Sequence, residues 1–532
     1  MKEEVVLETK APYTNLMKPQ NHQGETSDAT ELRRVDWQVA ETFTKFLYPF
    51  VFTHRLKSSV EACGNDFSQA LLSDPELSGV FVEDPFDASE LENMLPYVKQ
   101  YLSLATNQRR FRMNLACLSA GAFYAFLAES EKSSSFRISQ IVLYVFFNGV
   151  ACLALEIRPT SENGLAPSVE DVERVNARLA SLIHGAPFHM VTYKPSDIEP
   201  VGEPQGWSIA LLCQKHSRIT LKLLIDDLLK SFFSESSLFR ITPMVDRFLP
   251  VYGAMLLRPD RLAGMDVLDE RFYEFAQHHL TILRKTFTPN DISHFSQIHL
   301  EDATHHYLPY HNVIHTQSLD GGFVLAYDNG LDHFAKRPAR AMESFRTSYF
   351  LMMLIPFHQR LSILRYAMGA SLAGLSPRRG EDLRTLREAI YDFTSRCYFS
   401  QASVSEERDH IYRRWQDEFH VVPMYNELKE EVHDIDNYLA GLDRERENML
   451  KDLSLRRDSR NMHLFGLITM IFLPVTILVE AIPAIPILHR WINFAVHPVR
   501  ALLIVAAMVA FIVVLLALLF RNLRQSRKTL GL

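Results

Sequence analysis

At 532 residues the chain is too long for one ordinary domain of roughly 100 to 200 residues and long enough for several packed cores. It is 47% hydrophobic and 22% charged, with 25 prolines and 20 glycines spread along it, which excludes a disordered or low-complexity chain. A net charge of -7 gives no global reason to expect nucleic acid as a partner.

Residues 1–35 are polar, carry both charges and hold no apolar leader segment, so they read as a disordered tail without a signal peptide. Residues 36–335 read as a cytosolic α/β domain, a mixed sheet covered by helices. Arg137 to Phe147, the pair Asn148-Gly149, and Val150 to Ile157 predict a hairpin, because Asn-Gly favours the positive φ of a tight turn. Ser168 and Asp171 after Pro167 predict a capped helix start, with Gly185 closing the helix. Further helices are expected over Leu221 to Phe233 and Leu268 to Lys285. Strands are expected near Phe239 to Met244 and Val251 to Leu257, and a second hairpin around Asp320-Gly321-Gly322. The five cysteines are scattered and never in a C-x-x-C spacing, which suits reduced core residues.

Residues 336–460 read as a helical and stalk region. The run Tyr349 to Phe357 is too short to span a membrane and suits a core, while Pro356 and Pro423 should bend or bound their helices. Tyr425, Leu428, Val432, Ile435, Leu439, Leu442, Met449 and Leu453 recur at alternating three and four, broken by Arg446, a heptad stripe on a charged helix.

Two uncharged runs follow, 461–479 and 501–520, each long enough to cross a hydrocarbon layer of about 30 Å as a helix. Arg456, Arg457 and Arg460 precede the first, and Arg521, Arg524, Arg527 and Lys528 in the tail 521–532 follow the second. By the distribution of basic residues both termini are expected on the cytoplasmic side of a plasma (inner) membrane, with 480–500 as an outside loop and the lipid bilayer as a partner. Thr469, Thr476 and Glu480 fall within about 40° of one another on one helical face. Such a stripe suits an oligomer in which copies of the first span ring an axis with Glu480 at the mouth, or else a plain helix-packing interface.

No nucleotide-binding loop, nucleophile elbow or zinc-protease spacing occurs, so nothing positive points to an enzyme. Six histidines, His294, His299, His305, His306, His311 and His315, lie together with Glu301 and Asp302. If 312–317 is a strand, His311 and His315 share a face and suit a transition metal; the irregular spacing suits a polar strand and its loop. Arginine clusters at Arg109, Arg110 and Arg112, at Arg378 and Arg379, and at Arg413 and Arg414 suit an anionic ligand or a solvated face, with Arg109 and Arg110 the best candidates.

Ile471-Phe472-Leu473-Pro474-Val475-Thr476, together with the stalk Val404 to Leu439 containing Trp415, resembles the CorA-type magnesium transporter superfamily over about residues 340 to 532. The resemblance implies a homopentamer whose pore is lined by the first span, Leu473 and Thr476 falling on pore-lining family positions. The family's Gly-Met-Asn signature is missing, since Pro483, Ala484 and Ile485 stand where it should be, so magnesium selectivity does not carry over. The resulting expectation is a CorA-like homo-oligomeric channel or transporter for metal cations, gated by its cytosolic domain. Magnesium or another divalent cation would be the transported or regulatory ion. Thr469, Leu473, Thr476 and Glu480 would line its pore. Two alternatives accompany it, a membrane effector of a defence system activated by a nucleotide-like ligand, and a non-conducting membrane scaffold.

Overall fold

The computed structural model describes residues 35–484 apart from 58–60, 62, 119–121, 127–133, 161–165, 192–205, 235–236, 260–264, 286–305, 330–337 and 377, together with scattered positions between 499 and 521. The chain divides into two units, Met1–Asn437 and Tyr438–Leu532.

The first unit is mixed α/β, built on one 12-stranded sheet. In chain order its strands are β1 (Trp37–His54), β2 (Phe81–Glu83), β3 (Gln108–Met113), β4 (Phe123–Phe126), β5 (Ser135–Phe146) and β6 (Val150–Thr160), then β7 (Phe188–Val191), β8 (Phe239–Pro243), β9 (Val251–Pro259), β10 (His306–Tyr310), β11 (Val313–Ser318) and β12 (Gly321–Tyr327). The main path runs β10-β11-β12-β9-β1-β6-β5-β3-β2, with β4, β7 and β8 off it. The 18-residue β1 is the spine. One of its edges pairs with β6 over Thr44 to Val51, and the other is shared by β9 up to Phe46 and β8 from Phe50 onward. Every named pairing is antiparallel except β12 on β9.

The helices of this unit are α1 (Gly64–Ser73), α2 (Pro96–Ser103), α3 (Val169–Ala180), α4 (Ile209–Lys215), α5 (Leu221–Leu228), α6 (Lys230–Phe233), α7 (Met265–Lys285), α8 (Pro338–Ser344), α9 (Phe350–Leu375), α10 (Arg379–Cys397) and α11 (Glu406–Glu418). A π-helical turn, Phe345–Tyr349, joins α8 to α9. The last helix, α12 (Val421–Ala484), has 64 residues and continues past Asn437.

Several of these elements follow from short-range chemistry. The β5–β6 hairpin turns through Asn148-Gly149, where Gly149 has φ 75. A Cβ at that glycine would lie 2.8 Å from both the Phe52 carbonyl and the Arg365 guanidinium, so packing as well as dihedral demands glycine. Ser168 and Asp171 form a complete capping box on α3, which ends at Ala180, short of Gly185. The segment 221–233 is two helices that break at Leu229. Pro423 sits in the first turn of α12, where its missing N–H has no intrahelical partner to lose, whereas Pro356 lies inside α9 without ending it.

The strand period of two separates the faces of the sheet. Phe46, Tyr48, Phe50 and Phe52 of β1, Leu153, Leu155 and Ile157 of β6, Ile141, Leu143 and Val145 of β5, and Phe111 and Met113 of β3 enter one large apolar core with α1, α4 and α5. A second core gathers Val39, Leu257, Phe272, Leu325 and Tyr327 under α7. Four of the five cysteines are buried, and all five are free thiols.

The expected fold is corrected in its C-terminal part. Among the described residues no helix is long and apolar enough to cross a membrane. The run 461–479 is instead the later part of α12, where Asn461, His463, Thr469 and Thr476 interrupt the apolar sequence and Arg456, Arg457, Asp458 and Arg460 precede it on the same helix. Of the run 501–520 only scattered positions lie among the described residues, and those are helical. The pair of transmembrane helices is withdrawn, and with it the multi-pass placement in a plasma membrane and the transmembrane-transporter character built on it.

Candidate functional site

The face of the sheet opposite the large core carries polar residues at the alternate positions of the same strands. They include Lys45 of β1, Glu156 of β6, Gln140 and Tyr144 of β5, and Arg110 and Arg112 of β3, with Ser139 joining them at a register shift in the β5–β6 pairing, all lining a cleft of about 1570 Å³. Its other wall is the π-helical turn, which brings Arg346 and Tyr349 to the cleft, with Arg340 of α8, and Glu407 and Arg408 of α11. A π turn inserts a residue into the helical repeat and is frequently met at functional sites.

Charge in the cleft is dense, and most of it is paired. Lys45 and Glu156 stand directly opposite each other in the β1–β6 register, with Nζ 3.4 Å from the carboxylate and both side chains 5% exposed or less. Burial pushes the Lys45 ammonium down from its ordinary value, and Glu156 only partly offsets this. Burial works against the charged form of Glu156 too, but Lys45 and Arg346 outweigh it and hold its carboxyl below the usual range. Arg346 lies 3.2 Å from Glu156 and reaches Glu41 at 3.2 Å and Glu343 at 2.8 Å. Arg110 is gripped in a fork, its Nη1 and Nη2 donating to Glu90 at 2.8 and 3.0 Å, while its Nε donates to the Asp84 carbonyl and its plane covers the Phe86 ring. Tyr349 and Tyr310 both donate to Glu407, at 2.6 and 3.0 Å, tying the π turn and β10 to the start of α11. Arg408 lies over the Tyr349 ring. Among the described residues, neither Arg340 nor Arg408 is in an ion pair.

The residues singled out from the sequence separate. Arg109 and Arg110 are neighbours on β3 and therefore face opposite sides: Arg110 lines the cleft, while Arg109 is 3.8 Å from Glu83 and hydrogen-bonds the Ala105 carbonyl. His311 lies in the β10–β11 turn with its side chain 87% exposed, 4.0 Å from Asp269. His315 is buried in β11 between Tyr349 and Phe345, and burial depresses it to about 3. Among the described residues no group of three or more His, Cys, Asp or Glu side chains suits a metal; His294, His299, His305, Glu301 and Asp302 lie outside the described residues. Thr469, Leu473, Thr476 and Glu480 are all exposed on α12, and the two threonine hydroxyls donate to the Phe465 and Phe472 carbonyls of the preceding turn.

Sequence reasoning missed Lys45, Glu156 and Arg346. A signal was present for two of them: Lys45 and Glu156 are charges flanked by apolar residues in long strands, and such charges persist in a sheet interior only when paired.

No family model matches the chain, and no curated protein or solved structure matches it. The CorA resemblance thus has no family evidence behind it, and the cleft must be interpreted from its own chemistry.

Proposed function

We propose that the first unit is a receptor for a small, nucleotide-like anion, and that the chain is a ligand-responsive binding protein rather than an enzyme. One observation carries this reading, the cleft of about 1570 Å³ into which β1, β3, β6, α8, the π turn and α11 each bring a basic side chain. Its volume exceeds the roughly 300 to 1,000 Å³ of an ordinary small-molecule pocket, so a ligand of nucleotide size fits. Arginine forks match phosphate geometry. Phe86, Tyr310, Tyr349 and Phe350 supply flat surfaces beside them. Because carboxylates already hold most of these cations, the site selects against simple anions: a ligand must displace or bridge existing pairs.

The cleft also has an outlet. Ligand contact at Arg346, Tyr349 or Arg408 acts on α9 and α11 together, and α11 leads into α12 through Phe419 and His420. The test is calorimetric titration of the purified full chain with adenosine mono-, di- and triphosphate, with adenosine as the uncharged control. Binding of a phosphorylated member, lost in the double variant Arg340→Ala, Arg408→Ala, is the expected result. Absence of binding by all three, or binding untouched by that double change, refutes it.

A further inference from the structure

One buried carboxylate of the cleft is shared by more cations than it can satisfy. Glu156 has Lys45 Nζ at 3.4 Å, Arg346 Nε at 3.2 Å and Arg158 Nε at 3.8 Å. Ser139 also donates to its Oε1 at 2.9 Å. The geometry leaves Glu156 Oε2, Arg158 Nε and Arg346 Nε buried without a hydrogen bond, although the Glu156 side chain is only 4% exposed. Unmet donors and acceptors in such a place are unfavourable, and all three belong to residues that line the open cleft. Phe350, whose ring centroid lies 4.5 Å from Lys45 Nζ, and Tyr144, whose ring lies against Phe350, form a flat shelf beside them.

We infer that Lys45, Arg158 and Arg346 form the subsite for the ligand's phosphate head, and that Glu156 is an internal stand-in for that head, occupying its cations until the ligand arrives. The inference rests on the receptor reading above. A phosphate offers oxygens in several directions, whereas Glu156 approaches three cations from one strand and meets none at good geometry. On binding, the phosphate takes the guanidinium N–H groups that Glu156 leaves unused, and Glu156 keeps Ser139 and one cation. Affinity is therefore limited by competition between two anions for one set of cations. This separates the subsite from the Arg110–Glu90 fork, where both partners are already well satisfied.

The experiment titrates inorganic pyrophosphate and adenosine triphosphate into the full-length wild type and two single variants. Glu156→Gln removes the competing charge and should tighten both ligands about tenfold, while Arg158→Gln, at a 41% exposed side chain that tolerates replacement, should weaken both by a similar factor. A merely structural role for Glu156 would instead weaken binding or leave it unchanged. Should Glu156→Gln fail to fold by circular dichroism, Arg158→Gln decides alone, and unchanged affinity there overturns the subsite. Were binding lost in the Arg340, Arg408 double variant but unmoved by either change at this subsite, the receptor reading would stand and this inference would fall. No binding of either probe to the wild type or to Glu156→Gln sinks both.

Discussion

Lowering the pH should weaken the first unit through two histidines that the fold keeps neutral. His358 lies in α9, 1% exposed and stacked on Phe146 with ring centroids 3.8 Å apart. Its Nδ1 meets the Tyr101 hydroxyl at 3.2 Å, and its Nε2 meets Asn148 Oδ1 and Ser362 Oγ at 3.1 Å. Asn148 donates to Ser362, and Ser362 donates to the His358 carbonyl, so the chain closes with a neutral ring that donates from Nε2 to Asn148 and accepts at Nδ1. Burial alone holds His358 at about 3, and burial reinforced by Arg414 holds His315 at about 3.

In the unfolded chain each histidine takes its proton near pH 6.5; in the folded chain neither does until about 3. The unfolded state binds more protons throughout that window, so stability falls as pH falls through it and is undiminished above it. Between about pH 7.5 and 5 the loss is about 2 kcal/mol per histidine, or about 4 kcal/mol for the pair, a large share of a typical net stability of 5 to 15 kcal/mol. Urea titrations of the full chain over this range, followed by tryptophan fluorescence, measure it. In His358→Gln the loss over this range should shrink by about 2 kcal/mol, whatever the variant's own destabilisation. Wild-type and variant curves that run parallel over this range would refute the neutral-core assignment.

The other expectations concern single contacts. Gly149→Ala should destabilise by about 3 kcal/mol, because its φ of 75 and two contacts at 2.8 Å leave no room for a Cβ, and a thermal melt will register it. Arg110→Ala should destabilise by about 3 kcal/mol by stranding Glu90, whereas Arg109→Ala should stay within about 0.5 kcal/mol; equal effects would contradict the split of β3 between two faces. Ser168→Ala removes the capping box of α3 and should lower stability by about 1 kcal/mol in chemical denaturation. Glu407→Ala leaves the buried Tyr349 hydroxyl without its acceptor, for a loss of about 1 to 2 kcal/mol and faster amide exchange in the first turn of α11.

What could be read from the sequence was local. The Asn148-Gly149 turn, the Ser168 cap and the glycine pair at 321–322 are each encoded within a few residues, and each occurs in the structure. The cleft is not local. Lys45 and Glu156 are over a hundred positions apart and meet only because β1 and β6 are neighbours in register, and Arg346 joins them from a turn between two helices. Arg109 and Arg110 looked equivalent as a basic pair, yet the strand period assigns one to the cleft and the other to the far face. The apolar runs misled in another way. Composition marked 461–479 as a span, whereas in the structure it continues a helix whose earlier turns are dense in charge.

On the receptor reading proposed above, α9 is the element through which a ligand in the cleft would be felt elsewhere in the first unit. Its N-terminal end grows from the π turn that carries Arg346 and Tyr349, and its body is buried among apolar neighbours on nearly every side, so it moves as a rod or not at all. Farther along, Arg360 donates to the Phe419 carbonyl at 2.7 Å and touches the Met424 sulfur, clasping the joint between α11 and α12. That joint includes His420 at φ 52, the one non-glycine residue with positive φ among those described, a conformation that disfavours a branched side chain and persists only where its surroundings hold it. A ligand that draws Arg346 away from Glu156 therefore pulls on one end of a rod whose other contact restrains a strained turn. Relieving that backbone strain with His420→Gly should steady the joint: its amides should exchange more slowly while ligand affinity in the cleft stays as it was, because no cleft residue has been touched.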